Sequence, residues 1–259
     1  MRRKIVIGYD GSPGARAAFG WALDEAERAG APAELVQADQ WPLQAAGPSP
    51  MEHLSDDAVL TARRTHPGVP VTVTTVRAHP TTALIGVSGD AGLVVLGGRG
   101  HGAVAGLLGS VGSAVSASAR CPVVAVRGDS ARFAPVVAGI DGSRRSARVV
   151  RFAAAQAVAH GVPLRVLHVR PGAWEDTPLD HLVRSTHREF PELPIEAEIV
   201  DGDPAAALTA AGRSAQLLVV GGSRDARRGL LLDSVSQHLM RHATCTVAVV
   251  PLLQYGSPD

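Results

Sequence analysis

The chain has 259 residues, enough for one large domain or two ordinary ones. Apolar residues make up 46% and aromatics only 3%, so a core must be built from Ala, Val and Leu: small-residue helices on Val-rich strands. A formal net charge of +1 gives the whole-chain field no claim on nucleic acid, and Lys4, the sole lysine, is the one candidate for any lysine-dependent phosphate or Schiff-base chemistry.

In chain order, the first predicted strand is Ile5–Tyr9, followed by the turn Asp10-Gly11-Ser12. Ser12 and Pro13 read as a helix start, a hydroxyl cap and then proline in the first turn. Ala15, Ala18, Phe19, Ala22, Leu23 and Ala26 follow at helical spacing, and Gly30 closes the helix. "AELVQA" (33–38) is a strand, 51–66 a polar helix, "VTVTTV" (71–76) an alternating strand and 80–89 a short helix. "LVVLG" (93–97) is a continuous apolar strand buried on both faces. A helix from Ser110 to Ala119 leads into "PVVAV" (122–126).

The pattern then repeats. "KIVIGYDGSPGARAAFGWALDEAERAG" (4–30) matches "VVAGIDGSRRSARVVRFAAAQAVAHG" (136–161), "AGLVVLGGRG" (91–100) matches "AQLLVVGGSR" (215–224), and "GLLGSVGSAVSASARCPVVAV" (106–126) matches "LLLDSVSQHLMRHATCTVAVV" (230–250). Copies this long are duplicated domains rather than solenoid units. They are expected over 1–130 and 134–259, joined by the polar "RGDSARFAP" (127–135). Strands alternating with helices predict an α/β chain of two doubly wound parallel sheets. Cys121 and Cys245 occupy matching places, which suits two buried structural thiols and a cytoplasmic location. The apolar run in "MRRKIVIGYDGS" is too short for a signal peptide, and no run approaches membrane-spanning length.

"GGRGHGAVAGLLGS" (97–110) holds six glycines in fourteen residues and follows an apolar strand. In open α/β sheets the ligand sits at the carboxyl ends of the strands, where the strand order reverses. Asp10 and Gly97–Gly100 belong there, and the helix starting near Gly109-Ser110 offers free N–H groups and a positive dipole end. Glycines let backbone N–H groups approach phosphate oxygens, Ser110 can cap the helix or bond a phosphate, and Asp10 can accept from a ribose hydroxyl or an adenine amine. Asp10-Gly11-Ser12 is equally a sound strand-to-helix turn with no ligand. The stretch matches neither the G-x-x-x-x-G-K loop nor a dinucleotide fingerprint. His101 reads as a solvated loop side chain and His168 as structural.

"IVIGYDGS", "VLGGRGHGAVAGLLGSVGSAV" and "ARCPVVAV", with "VVAGIDGS", "VDGDP", "LLVVGG" and "GLLLDSVSQHLMRHATCTVAVVP" in the second half, resemble the universal stress protein family, as a tandem member. The resemblance implies, for each half, a five-stranded parallel sheet with helices on both faces, Rossmann-like and adenine nucleotide alpha hydrolase-like. It implies dimers formed through the last strand, here an intramolecular pseudo-dimer, with homodimerisation and a protein partner of unknown identity as further expectations and no nucleic acid or membrane. Some members bind ATP through glycine, two residues, glycine, nine residues, then glycine and Ser or Thr. Carried onto this chain, the nucleotide-binding residues would be Asp10, Gly11, Ala38, Gly97, Arg99, Gly100, Gly109, Ser110 and Val111, taking ATP with Mg2+ in the first domain only. The chain departs from the pattern in having eight residues, His101 to Leu108, between Gly100 and Gly109. In the second copy Arg224 and Asp233 replace the second and third glycines, while Asp141 is retained. A carboxylate in the anion position repels a phosphate by roughly 4 kcal/mol per charge pair at about 4 Å, only partly offset by Arg224, Arg227 and Arg228, so an empty second site is expected. No catalytic residue or metal ligand is predicted; "YDGSPGA" lacks the S-G-G-x-D-S loop of ATP-splitting relatives of the fold, though slow ATP hydrolysis stays open. The competing reading is a nucleotide-free interaction or regulatory module.

Overall fold

The computed structural model describes residues 2–39, 54–98, 110–128, 133–143, 145–170, 179–222 and 235–251. It divides into two compact units, Met1–Arg127 and Gly128–Asp259.

Unit 1 runs β1 (Lys4–Gly8), α1 (Pro13–Ala29), β2 (Ala33–Ala38), α2 (Asp56–Thr65), β3 (Val71–Val76), α3 (Pro80–Val87), β4 (Ala91–Gly97), α4 (Ser110–Ser118), β5 (Val123–Val126). The strands form a parallel sheet in the order β3-β2-β1-β4-β5. The signals at the start of α1 act as read. The Ser12 hydroxyl accepts the Ala15 N–H at 3.1 Å, Pro13 fills the first turn, and Gly30 closes the helix at φ 57°. Its apolar stripe, Ala15, Ala18, Phe19, Ala22, Leu23 and Ala26, is buried. Beneath it β1 after Lys4 and the whole of β4 are apolar, with Val6, Ile7, Val94 and Val95 fully buried. A second cluster, including Val36, Leu84, Leu96, Val115 and Val123, forms the other part of the core.

Unit 2 runs β6 (Val136–Ile140), α5 (Ser146–His160), β7 (Leu164–Arg170), α6 (Leu179–Glu189), β8 (Ile195–Asp201), α7 (Pro204–Gly212), β9 (Leu217–Gly221), α8 (Val235–His242), β10 (Thr246–Val250). Its parallel order is β10-β9-β6-β7-β8. Register makes the repeat concrete, because Ile5 faces Ala33 as Val136 faces Leu164. Gln37 and His168 therefore occupy the same place in the two units, as do Ala38 and Val169.

Two differences separate the structure from the sequence reading. The first strand ends at Gly8, leaving Tyr9 and Asp10 in the connection to α1. Helix α5 starts at Ser146, two positions later than α1 when the copies are matched at Asp10 and Asp141. The second copy has no proline to preset the first helical φ, and Arg145 at its cap makes no side-chain capping bond.

Charge at one sheet position is inverted between the units. Glu34 on β2 is buried beside Lys4 Nζ at 2.6 Å and accepts from the Thr74 hydroxyl at 2.6 Å. The matching Arg165 on β7 lies 3.8 and 3.6 Å from Glu196 and Glu198 of β8. Burial alone would raise the Glu34 carboxyl, but the bonds from Lys4 and Thr74 and the Lys4 charge outweigh it and hold the group below its ordinary value.

Candidate functional site

Strand order reverses between β1 and β4 in unit 1 and between β6 and β9 in unit 2, the place at the carboxyl end of an open α/β sheet where ligands bind.

In unit 1 the reversal gathers Asp10, Gly11, Ala38, Gly97 and the start of α4 at that end. Asp10 Oδ1 accepts the Ser12 N–H at 3.0 Å, which shapes the turn feeding α1. Gly11 has φ 73°, and a Cβ there would lie 2.5 Å from Leu54 Cδ1, so the Leu54 side chain rests directly on the turn. Ala38 is half-buried at the last rung of β2, paired with Val76. Gly97 pairs with Val126, and a Cβ on it would meet Gly14 C at 2.4 Å, Gly14 O at 2.6 Å and Ala15 N at 2.7 Å. Backbone therefore touches backbone there, and the close packing of the α1 start on the β4 end accounts for that glycine. Ser110 opens α4, and Val111 packs against the second core cluster. Arg99, Gly100, His101 and Gly109 lie outside the described residues.

Unit 2 presents a cleft of about 240 Å³ at the matching end of its sheet. Its lining includes Gly139, Asp141 and Gly221, the apolar Val169 and Leu208, and the polar Arg145, Ser146 and Ser236. The Asp141 carboxylate accepts the Ser143 N–H at 3.0 Å and the Ser146 hydroxyl at 3.1 Å, so it anchors the first turn of α5. The Ser143 hydroxyl, at the same cleft, is buried with no hydrogen-bond partner among the described residues. Arg224 and Asp233, on which the expectation of an empty second site rests, lie outside the described residues.

The turn in unit 2 is covered by a different side chain. Gly142 has φ 72°, and a Cβ there would lie 3.0 Å from both Cε1 and Nε2 of His168. His168 is buried, and its Nδ1 has no hydrogen-bond partner among the described residues. Burial pushes its imidazole below the ordinary histidine value; the Arg170 charge pushes the same way, and Asp141 opposes both.

The universal stress protein family model matches residues 1–127 and again 132–251. The chain belongs to the universal stress protein family. A universal stress protein of Mycobacterium tuberculosis (strain ATCC 25618 / H37Rv) is 34% identical over 196 residues, a match covering 66% of this chain and 65%, just under two thirds, of that protein. A second universal stress protein of the same strain is 30% identical over 288 residues, with 95% of each chain covered. Among solved structures, a universal stress protein from Archaeoglobus fulgidus DSM 4304 has the same fold, with a TM-score of 0.70 at 20% identity over 96% of this chain and 98% of that one. The chain is thus a tandem universal stress protein of Rossmann-like α/β fold. Among the described residues, no group of three or more His, Cys, Asp or Glu could hold a metal ion, and no helix is long and apolar enough to cross a membrane.

Sequence reasoning missed Leu54 and the cleft residues Arg145 and Ser146, and it gave His168 a structural role without placing it. The signal for Arg145 was present, since "DGSRRS" replaces the proline and glycine of "DGSPGA" with two arginines. Leu54 and His168 reach the two turns from distant sequence, and no local pattern announces that.

Proposed function

We propose that this universal stress protein is a non-enzymatic, cytoplasmic stress-response protein that binds ATP, with Mg2+, in unit 1 and leaves unit 2 without nucleotide. The reading is supported by the position of Asp10, Ala38, Gly97 and the start of α4, all at the carboxyl end of the unit 1 sheet where its strand order reverses. Asp10 and the backbone at Ala38 would hold the nucleoside; Gly97, Arg99, Gly100, Gly109, Ser110 and Val111 would bring N–H donors and a helix start to the phosphates, with Gly11 keeping the turn beneath them narrow. In unit 2, Asp233 would place a carboxylate where the phosphates need donors.

A second reading, the nucleotide-free module, draws support from Gly97. Its contact with Gly14 explains that glycine without a ligand. Titration calorimetry of the full chain with ATP and magnesium separates the two. A stoichiometry near one, removed by Gly109→Asp, is expected; zero favours the module, and two, or binding that survives Gly109→Asp, overturns the reading.

The two apolar strands β5 and β10 are proposed to bring the units together as an intramolecular pair, since an uncovered apolar edge invites association. Proteolysis confined to the join at 127–135 should leave fragments that co-elute on gel filtration; separate elution would refute the pairing. Homodimerisation is a further expectation of this reading, and a strict monomer in sedimentation would remove it.

A further inference from the structure

Helix α8 carries His238 and His242, four residues apart and hence on one face. Their ring centroids are 4.6 Å apart and the planes tilt by 39°. The rest of the helix holds this face in place: Leu239 and Met240 are fully buried, and Ser236 and Gln237 are buried as well. His238 is half-buried and His242 exposed, so solvent reaches the pair.

The fold does not require these histidines. Cys121 and Cys245 fix the match between the last helices of the two units, and α4 has Ala114 and Ser118 in their places. Two imidazoles with centroids 4.6 Å apart on one helix face, each with a lone pair when neutral, can bring two nitrogen donors to one cation through side-chain rotation alone. Imidazole suits copper, nickel and zinc, and affinity for a given nitrogen site peaks at Cu2+. The pair also lies in the last turns of the helix, where the macrodipole favours a cation. Arg241, between the two in sequence, is engaged in an interaction of its own. Since no third His, Cys, Asp or Glu among the described residues completes a metal-holding group, water would complete the coordination sphere, as in an exchangeable surface site rather than a closed structural one.

We propose that His238 and His242 form a bidentate surface site for a late first-row divalent cation, Cu2+ foremost, independent of the nucleotide reading of unit 1. Binding replaces two waters of the hydrated cation with two imidazole nitrogens and changes no oxidation state. The test uses untagged full-length protein titrated with a Cu2+ salt in a non-coordinating buffer at about pH 7.5, where metal-ligating imidazole is deprotonated. The readouts are electron paramagnetic resonance and the shift in melting temperature. One tightest Cu2+ per chain is expected, with hyperfine structure from two nitrogens and a raised melting temperature. The variant H238A/H242S, which copies the residues of α4, should lose at least about tenfold in affinity while its metal-free circular dichroism matches the parent. H242S alone, at an exposed position, should show a loss of similar size and serves if the double variant folds poorly. Unchanged affinity in either folded variant, a single-nitrogen spectrum, or no binding by the parent chain would overturn the proposal.

Discussion

Replacing Gly97 with alanine should cost stability in the absence of any ligand. The new Cβ would stand 2.4–2.7 Å from three backbone atoms of Gly14 and Ala15. Carbon atoms in ordinary contact sit about 3.5–4.0 Å apart, so the end of β4 and the start of α1 must separate by about 1 Å. No side-chain rotation relieves the clash, because the opposing atoms are backbone. Separation strains the packing around Ala15, Ala18 and Phe19, each less than 5% exposed. Overpacking of this kind costs about 1–3 kcal/mol. Taking about 2 kcal/mol and the usual unfolding entropy per residue, the melting temperature should fall by about 4–8 °C, the larger value if unit 1 unfolds alone. Gly20→Ala is the control: Gly20 is exposed on α1 with nothing within 4 Å of a Cβ, so alanine should stabilise by roughly 0.5–1 kcal/mol. Both are measured by calorimetry and denaturant titration of nucleotide-free protein. If Gly97→Ala is as stable as the parent while Gly20→Ala stabilises, the packing argument fails and ligand approach becomes the better account of Gly97.

Three further outcomes are expected. Glu34→Gln should destabilise by about 1–2 kcal/mol near neutral pH, because Lys4 and Thr74 lose a charged acceptor. With the folded carboxyl held low, that difference should persist above the unfolded value near 4.3 and vanish as pH falls through the folded value; denaturant titrations from about pH 7 to 3 check it, and a pH-independent gap would refute it. His168→Gln, which installs the residue at the matching position of unit 1, should flatten the loss of stability in acid. The folded imidazole is held below its unfolded value near 6.5, so the unfolded chain takes the proton first, and the parent should lose stability as pH falls from that value towards the folded one; parallel melting curves for parent and variant across the window would exclude this. Burial pushes the Cys121 thiol up to about 12, and Cys121 and Cys245 are both buried and unbridged. A chromogenic disulfide reagent at about pH 8 should therefore find almost no thiol in the native protein and both after unfolding; rapid native labelling of Cys121 would contradict its burial.

Much of this protein is written in short-range terms. Ser12, Pro13 and Gly30 delimit α1 because a cap, a preset φ and a left-handed residue each act within one turn. The apolar run of β4 declares a strand buried on both faces, and the internal repeat declares two copies of one unit, because hydrophobic patterning needs no partner to be read. Other features exist only once distant segments meet. Gly97 is distinguished by Gly14, far back in the chain, and a glycine kept for backbone contact looks the same in sequence as one kept for a phosphate. Leu54 covers one Asp-Gly turn and His168 the other, so two nearly identical four-residue motifs acquire different surroundings. The alternation of "VTVTTV" declared a strand, but the 40% accessibility of Val73 follows from the place of β3 at the end of the sheet order. Caps, turns and periodicity are set by neighbours within a few residues, whereas burial, charge environment and the covering of a turn depend on which segments the packed sheet brings side by side.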